Sequence, residues 1–356
     1  MLIKIRKWLQ ENNYDGIIIT RRDNYAWLTS GAENHVLSST ETGVASLYIT
    51  VDDAWIFADS IDAGRMKDEQ NPLGAKVMEI AWYESMEMVI KETIAGKKVV
   101  SDTGMINTQN VQPQLIWLRM PLSEAEVIRY RKVGRECAEI VEQTCFEARP
   151  GQTENEIAGI VKSRCTAKGI SPDCVLVGSD ERIMKYRHPM PTGKCMKNSL
   201  MVVLGGAKYG LNISITRMKY FDHLPDEIAG KYKKLQEIFV FMQLLMEDGM
   251  KGSEYFCKIQ ELYQRFGYPG EWQRHHQGGP TGYACREEII RPDSRFIIRK
   301  GQAYAWNPTI TGVKCEETTY CTDSGIEVFT RTKQWPVRLI ETAYGEMDVA
   351  EILVEK

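Results

Sequence analysis

Two capping boxes in the middle of this chain restrict its fold more than any other feature. In "LSEAEVIRYRKVGRECAEIVEQTCFEA" Ser123 stands three residues before Glu126, and in "GQTENEIAGIVKSRC" Thr153 stands three before Glu156. At that spacing the hydroxyl accepts from the third backbone N–H and the carboxylate returns to the first, so each motif fixes a helix start. Leu122 and Val127 are placed for a hydrophobic staple on the first helix, and Pro150-Gly151 breaks the chain before the second. The pattern predicts two successive helices, the first of them long, and a boundary just ahead of Ser123. Length agrees, since 356 residues exceed the ~250–300 at which single cores usually divide. We place one domain at 1–121 and a second at 122–356.

Ahead of the boundary, "DGIIIT", "VASLYIT", "AWIFAD" and "KKVVSD" read as short strands between helices, an α/β domain. Its first segment sets Ile3, Ile5, Trp8 and Leu9 among charged residues, as an amphipathic helix does. Beyond the boundary the order is two helices, strands, helix, strands, which predicts an α+β domain of two similar halves. The most apolar helical stretch, "LQEIFVFMQLLMEDGM", is interrupted by Glu237 and Gln243 and falls short of the ~20 residues of a membrane span, so it reads as a buried helix.

With 43% hydrophobic and 26% charged residues, the chain has the balance of an ordinary globular protein. A net charge of −3 supplies no bulk attraction to nucleic acid or to an anionic membrane. The first residues lack the apolar run of a secretory signal, so a cytoplasmic location is expected. Nine cysteines with no C-x-x-C pair fit reduced thiols, not a disulfide framework or a zinc ribbon. Cys285 and Cys315 lie near the motifs discussed next, and burial as free thiols is the expectation for both.

Seven segments, "RRDNYAWLTSG", "RPGQTENEI", "HPMPTGK", "VVLGGAKYGLNISITR", "HHQGGPTGY", "KGQAYAWNP" and "GVKCEETTYCTDSG", occur in the order of the creatinase/aminopeptidase P/prolidase superfamily, peptidase family M24, which the chain resembles over nearly its whole length. The resemblance implies a pita-bread fold for the second domain. It implies a homodimer, with "DNYAWLTSG" edging the partner's site. It also assigns positions to the five ligands of a dinuclear metal centre: two aspartates, one histidine and two glutamates.

At four of those positions this chain has Leu204, Ser214, Gly279 and Asn307, and only Glu316 is retained. No Asp or Glu occurs between Arg182 and Phe221, so no small shift of alignment restores the aspartates. Two ions carry four positive charges and need several carboxylates to hold them. We therefore expect no metal and no other cofactor at this centre.

The resemblance leaves other groups facing the same cavity. His188, His275 and Glu316 are the candidate catalytic residues, and His276, Arg286, Arg217 and Tyr283 the candidate substrate contacts. Each has a plainer reading. A histidine beside Pro189 fits a surface loop; an extended "HH" pair points its rings to opposite faces, with His275 the better placed by spacing. Arg286 is positioned to pair with Glu287 or Glu288, Glu316 to be held by Arg217, and "GG" or "GPTG" to form a tight turn.

Two functions remain open. One is a metal-independent C–N hydrolase of creatinase type, with His188 moving the proton, although Thr216 stands where creatinases carry a glutamate. The other is a pseudopeptidase that binds a peptide or small molecule without turnover. An active Xaa-Pro aminopeptidase or dipeptidase conflicts with the ligand positions. Arg217, Arg274 and Arg286 against Glu316 favour a small carboxylate ligand, unless Glu287, Glu288 and Glu317 neutralise them internally.

Overall fold

In the computed structural model, which describes residues 1–355, the chain divides into two units, Met1–Met120 with Tyr209–Leu211, and Pro121–Lys208 with the described residues from Asn212 onward. The first opens with α1 (Leu2–Glu11), which buries Ile5 and Leu9 and leaves Ile3 outside. After β1 (Gly16–Arg21), α2 (Arg22–Leu28) buries Tyr25, Trp27 and Leu28. Then follow β2 (Thr42–Ile49), β3 (Ala54–Asp59), α3 (Ala63–Asp68), β4 (Lys76–Ile80), α4 (Met86–Thr93), β5 (Val99–Ser101), β6 (Gln109–Asn110) and α5 (Gln112–Arg119). The strands form one mixed sheet in the order β4-β3-β2-β1-β5-β6. β1 and β5 carry buried apolar runs and the edge strands β4 and β6 are largely exposed, while Ile18, Tyr48, Phe57, Ile80 and Ile90 join in one core.

In the second unit both capping boxes form. The Glu126 carboxylate accepts from Ser123 N at 2.7 Å at the start of α6 (Glu124–Glu147), and Glu156 accepts from Thr153 N at 2.6 Å at the start of α7 (Glu154–Ala167). The chain continues through β7 (Ser171–Ser179), α8 (Glu181–Lys185), β8 (Ser199–Lys208) and β9 (Leu211–Phe221). Tyr209 and Gly210 turn between β8 and β9 with both φ angles positive, at 57° and 74°, the two-residue turn that matches strand twist. Next come α9 (Asp226–Leu244), whose "LQEIFVFMQ" face is buried as expected, and α10 (Gly252–Arg265).

The later strands are β10 (Gly278–Thr281), β11 (Gln302–Trp306), β12 (Thr309–Ile310), β13 (Val313–Lys314), β14 (Glu317–Thr322), β15 (Gly325–Val328), β16 (Val337–Thr342), β17 (Gly345–Ala350) and β18 (Leu353–Glu355). One sheet runs β18-β9-β8-β7 and another β10-β11-β14-β15. The segment "GGPT" is therefore a strand paired with β11 and not the tight turn its composition suggested.

Which face of β9 a residue takes decides what it can do. Arg217 points toward α6, where its guanidinium meets Glu142 at 2.9 Å. By alternation Ser214 and Thr216 lie on the opposite face. No helix among the described residues is long and apolar enough to cross a membrane. All nine cysteines are free; Cys315 is buried, but Cys285 is exposed, against expectation.

Candidate functional site

Two loops far apart in sequence are tied together and bring three histidines to one place. Arg187 donates to Glu271 at 2.6 Å, and Glu271 also accepts from Thr311 N at 2.8 Å, which locks the loop after α8 to the turn before β10. Pro189 seats against Gly178 of β7, where a Cβ would lie 2.6 Å from the proline ring, so only glycine leaves room for the loop. On the other side Gln277 donates to His275 O at 2.7 Å and accepts from Tyr263 at 2.8 Å. These contacts fix His188 beside His275, with their Nε2 atoms 3.0 Å apart.

His276 joins them. Its ring centroid is 4.6 Å from that of His275, and one ligand atom from each of the three rings lies within 4.8 Å of the others. The expectation that His275 and His276 would face opposite ways fails because alternation holds for residues in a ladder. These two precede β10 and have no strand partner to orient them. His188 is exposed, as the surface-loop reading has it, yet its ring is engaged with the buried His275.

Arg286 is near enough to His276 to act on its charge. Its Nη1 donates to Ser214 Oγ at 2.9 Å and to Cys285 O at 2.7 Å, and its Nη2 reaches Asn307 Oδ1 and Glu316 Oε1, both at 3.4 Å. The last two are long for hydrogen bonds, and Nε is buried without a partner, so the guanidinium has donor capacity to spare. Glu316 Oε2 accepts from Thr216 Oγ1 at 2.6 Å and pairs with Lys314 Nζ at 2.8 Å. Lys314 is 3% exposed and Glu316 5%.

Lys314 lies within the segment "GVKCEETTYCTDSG" and is a site residue that the motif does not mark. Two residues before Glu316, it takes the same side of an extended chain, and a lysine inside an apolar strand was the available signal. Arg286 does not pair with Glu287 or Glu288. Glu287 accepts from the Tyr283 and Ala284 N–H groups, and Glu288 accepts from Ser294.

Four further assignments are corrected. Arg217 does not hold Glu316 or face the side of β9 that carries Ser214; it is buried on the α6 side between Glu142 and Glu317, at 3.0 and 2.8 Å. Tyr283 donates to Glu126 at 2.7 Å and so braces the start of α6 instead of lining the histidine cluster. Arg274 points outward, 65% exposed, beside Glu271. Leu204 shares a face with Gly206, whose Cβ would lie 3.1 Å from Cys137 of α6 and 3.7 Å from Leu204 Cδ1, so Leu204 faces the helix and not Ser214. Gly279 lies in β10, and a Cβ there would meet the Glu288 carbonyl oxygen at 2.2 Å.

The electrostatics follow from this packing. Burial, the largest single effect, raises the Glu316 carboxyl, but Lys314, Arg286 and the Thr216 hydroxyl together more than offset it and hold the carboxyl at about 2. Burial first and Lys314 next push His275 down to about 2, while burial and Arg286 push His276 down to about 4. His188 is lowered for the same reasons, burial and then Lys314. Near neutral pH the rings are uncharged, and one carboxylate stands between two cations. The cluster can supply imidazole lone pairs and bind an anion.

Residues 1–112 match the family model of the Creatinase/Prolidase N-terminal domain, and residues 129–323, more than half of the chain, match that of Metallopeptidase family M24. No curated protein matches. Among solved structures the chain is similar to a prolidase from Pyrococcus horikoshii OT3, with 19% identity and TM-score 0.77 over 93% of this chain and 98% of that one. It is likewise similar to an Xaa-Pro dipeptidase from Bacillus anthracis, with 15% identity and TM-score 0.77 over 99% of both chains. An X-Pro aminopeptidase from Thermotoga maritima MSB8 gives 16% identity and TM-score 0.78 over 100% and 99%. At such identities the structural likeness establishes the fold alone. Together with the two family matches, it makes this chain a member of metallopeptidase family M24, with a creatinase/prolidase-type N-terminal domain ahead of a pita-bread domain.

Proposed function

We propose that this protein binds a small carboxylate-bearing ligand in a cavity where the Arg286 guanidinium takes the place of the family's dinuclear metal centre. The observation that carries this reading is that Arg286 reaches Ser214, Asn307 and Glu316, three of the five positions that the resemblance assigns to metal ligands. The residues present do not fit the metal pair. A divalent ion ~4 Å from a guanidinium is repelled by roughly 8 kcal/mol at an effective dielectric of about 20. The carboxylate of Glu316 is already shared with Lys314. Gly279 has no space for a side chain, and Leu204 faces away.

Arg286 and Lys314 against Glu316 leave one positive charge without a partner in a buried setting. An anionic ligand supplies it, and a carboxylate suits the planar fork of a guanidinium. A thermal-shift screen of amino acids, N-acyl amino acids and guanidino acids tests the reading. A ligand at ~100 times its dissociation constant adds ~2.7 kcal/mol of stability. Carboxylates are expected to stabilise the native chain and not Arg286→Ala; stabilisation by amides or cations only refutes the proposal.

For turnover, the hydrolytic reading draws on the contact of exposed His188 with His275, an imidazole pair that can pass a proton between solvent and the cavity. In it Glu316 is not a proton donor, since its carboxyl stays ionised; it is the counter-charge of the site. The binding-only reading draws on the depressed His275 and His276, which are not in the imidazolium form near neutral pH and so do not serve as general acids. Product analysis separates them, because a ligand recovered unchanged supports binding without turnover. Under either, Xaa-Pro dipeptides incubated with Mn2+ remain intact.

A further inference from the structure

We infer that His188, His275 and His276 form a site for a single late first-row divalent ion, with Zn2+ as the type case, distinct from the dinuclear centre of the family. Three ligand nitrogens lie within 4.8 Å of one another, and no carboxylate belongs to the set. Imidazole nitrogens at ~2.0–2.1 Å from a tetrahedral ion stand about 3.3 Å apart, and the His188 and His275 Nε2 atoms are already at 3.0 Å. Small side-chain rotations bring His276 into the same triangle.

A second observation concerns unmet polar atoms. The Nδ1 atoms of His275 and of His276 are buried and have no hydrogen-bond partner, and His275 is 8% exposed. Buried polar groups are ordinarily satisfied, and an ion held at Nδ1 of His276 meets that need; His275 meets the site through Nε2 instead, so an ion there fixes its Nδ1 as the N–H. Three neutral imidazoles match the preference of Zn2+, Ni2+ and Cu2+ over Mn2+ or Mg2+, which favour carboxylates. His188 is exposed, so a fourth position opens to solvent.

The charged groups acting on the trio are Lys314, Arg286 and Glu316. Their sum is positive, which weakens a cation and favours an anion as its fourth ligand. Ion and carboxylate therefore assist each other, and by linkage the assistance is reciprocal. The site goes beyond the proposed ligand binding and does not depend on it, although an occupied trio commits the lone pairs that a proton relay would use.

The test uses full-length, tag-free protein, stripped with EDTA and dialysed. Calorimetry with Zn2+ and elemental analysis after gel filtration are expected to give one ion per chain, and Co2+ a visible spectrum of tetrahedral type. His188→Ala, at an exposed position that threatens folding little, is expected to weaken Zn2+ at least tenfold and abolish the Co2+ spectrum. Arg286→Ala is expected to tighten Zn2+. Absence of binding at ~100 times the protein concentration overturns the inference, and so does Zn2+ affinity unmoved by His188→Ala or weakened by Arg286→Ala. If carboxylates fail to stabilise the chain while Zn2+ behaves as described, the ligand reading falls and the metal site stands. If carboxylates stabilise it and Zn2+ does not bind, the metal site falls and the ligand reading stands.

Discussion

Glu316→Gln keeps the shape of the side chain and removes its charge, so it isolates the electrostatic role of the one carboxylate in the site. In the native chain that carboxylate takes Lys314 at 2.8 Å, Thr216 at 2.6 Å and Arg286 at 3.4 Å, with Lys314 and Glu316 no more than 5% exposed. The amide leaves two buried cations without a counter-charge, and removing one partner of a buried pair costs about 3–5 kcal/mol. The depressed carboxyl gives an independent figure. A fall from 4.5 to about 2 corresponds to roughly 3 kcal/mol at ~1.4 kcal/mol per unit. The folded value lies below the unfolded one, so this stability is present above about pH 4.5 and is lost as pH falls toward 2.

At ~2–4 °C per kcal/mol for units of 150–250 residues, the variant should melt about 6–20 °C lower at pH 7. Thermal and urea unfolding followed by tryptophan fluorescence measure this. Lys314→Met in the Glu316→Gln background removes one stranded cation and should recover at least half of the loss. Acetate or formate should stabilise Glu316→Gln more than the native chain, because the net charge facing the ligand has risen. A loss under ~1 kcal/mol, or a double variant no better than the single one, would show that the pair does not hold the site.

Gly279→Ala forces a Cβ to 2.2 Å from the Glu288 carbonyl and should cost at least ~1–3 kcal/mol; a change within ~0.5 kcal/mol in urea unfolding would mean the strand has room for a histidine. With metal chelated, His275 and His276 titrate in the folded state at about 2 and about 4 against 6.5 unfolded, so the unfolded chain binds more protons as pH falls. Stability should therefore drop from pH 6.5 toward 4 with a slope of up to ~1.4 kcal/mol per pH unit from each ring, and His276→Gln should flatten it; a level profile between pH 6.5 and 5 argues against burial as the cause. Arg217→Met strands Glu142 and Glu317 and should cost about 3–5 kcal/mol while leaving carboxylate stabilisation intact, whereas Arg286→Met should cost little without ligand and abolish that stabilisation; equal losses from the two would contradict the assignment of their roles.

What could be read from the residues alone was what short-range chemistry dictates. The capping boxes at Ser123 and Thr153 are local, and they form. Ser214, Asn307 and Glu316 were placed by motif order, and they converge on one guanidinium. The misplacement of Leu204 has a definite cause: side chains alternate, so a register change of one residue sends a whole strand to the other face. The turn at Tyr209-Gly210 is two residues long, and motif order alone does not fix the register of the two strands that it joins. The resemblance placed His188, His275 and His276 near one another, but the turning of both adjacent rings toward His188 was not legible. It depends on Arg187 meeting Glu271 across the fold, a pairing that neither segment announces.

Charge was the least legible property, because counting arginines does not say which side of a sheet they take. Arg217 and Ser214 are three residues apart on β9 and therefore on opposite faces. Toward α6, Arg217 meets two carboxylates, Glu142 and Glu317, and that side carries an excess of negative charge. Toward the cavity, Arg286 and Lys314 share Glu316, and the excess is positive. The two imbalances cancel in the sum that the sequence reports, and they do not cancel in space. A buried cation is tolerated where it is paired or where something else pairs with it. On the α6 side the fold itself provides the partners, and that arginine serves packing. On the side of Ser214 it does not: Arg286 and Lys314 share the single carboxylate of Glu316, and the carboxylate ligand we propose is the partner that would balance them.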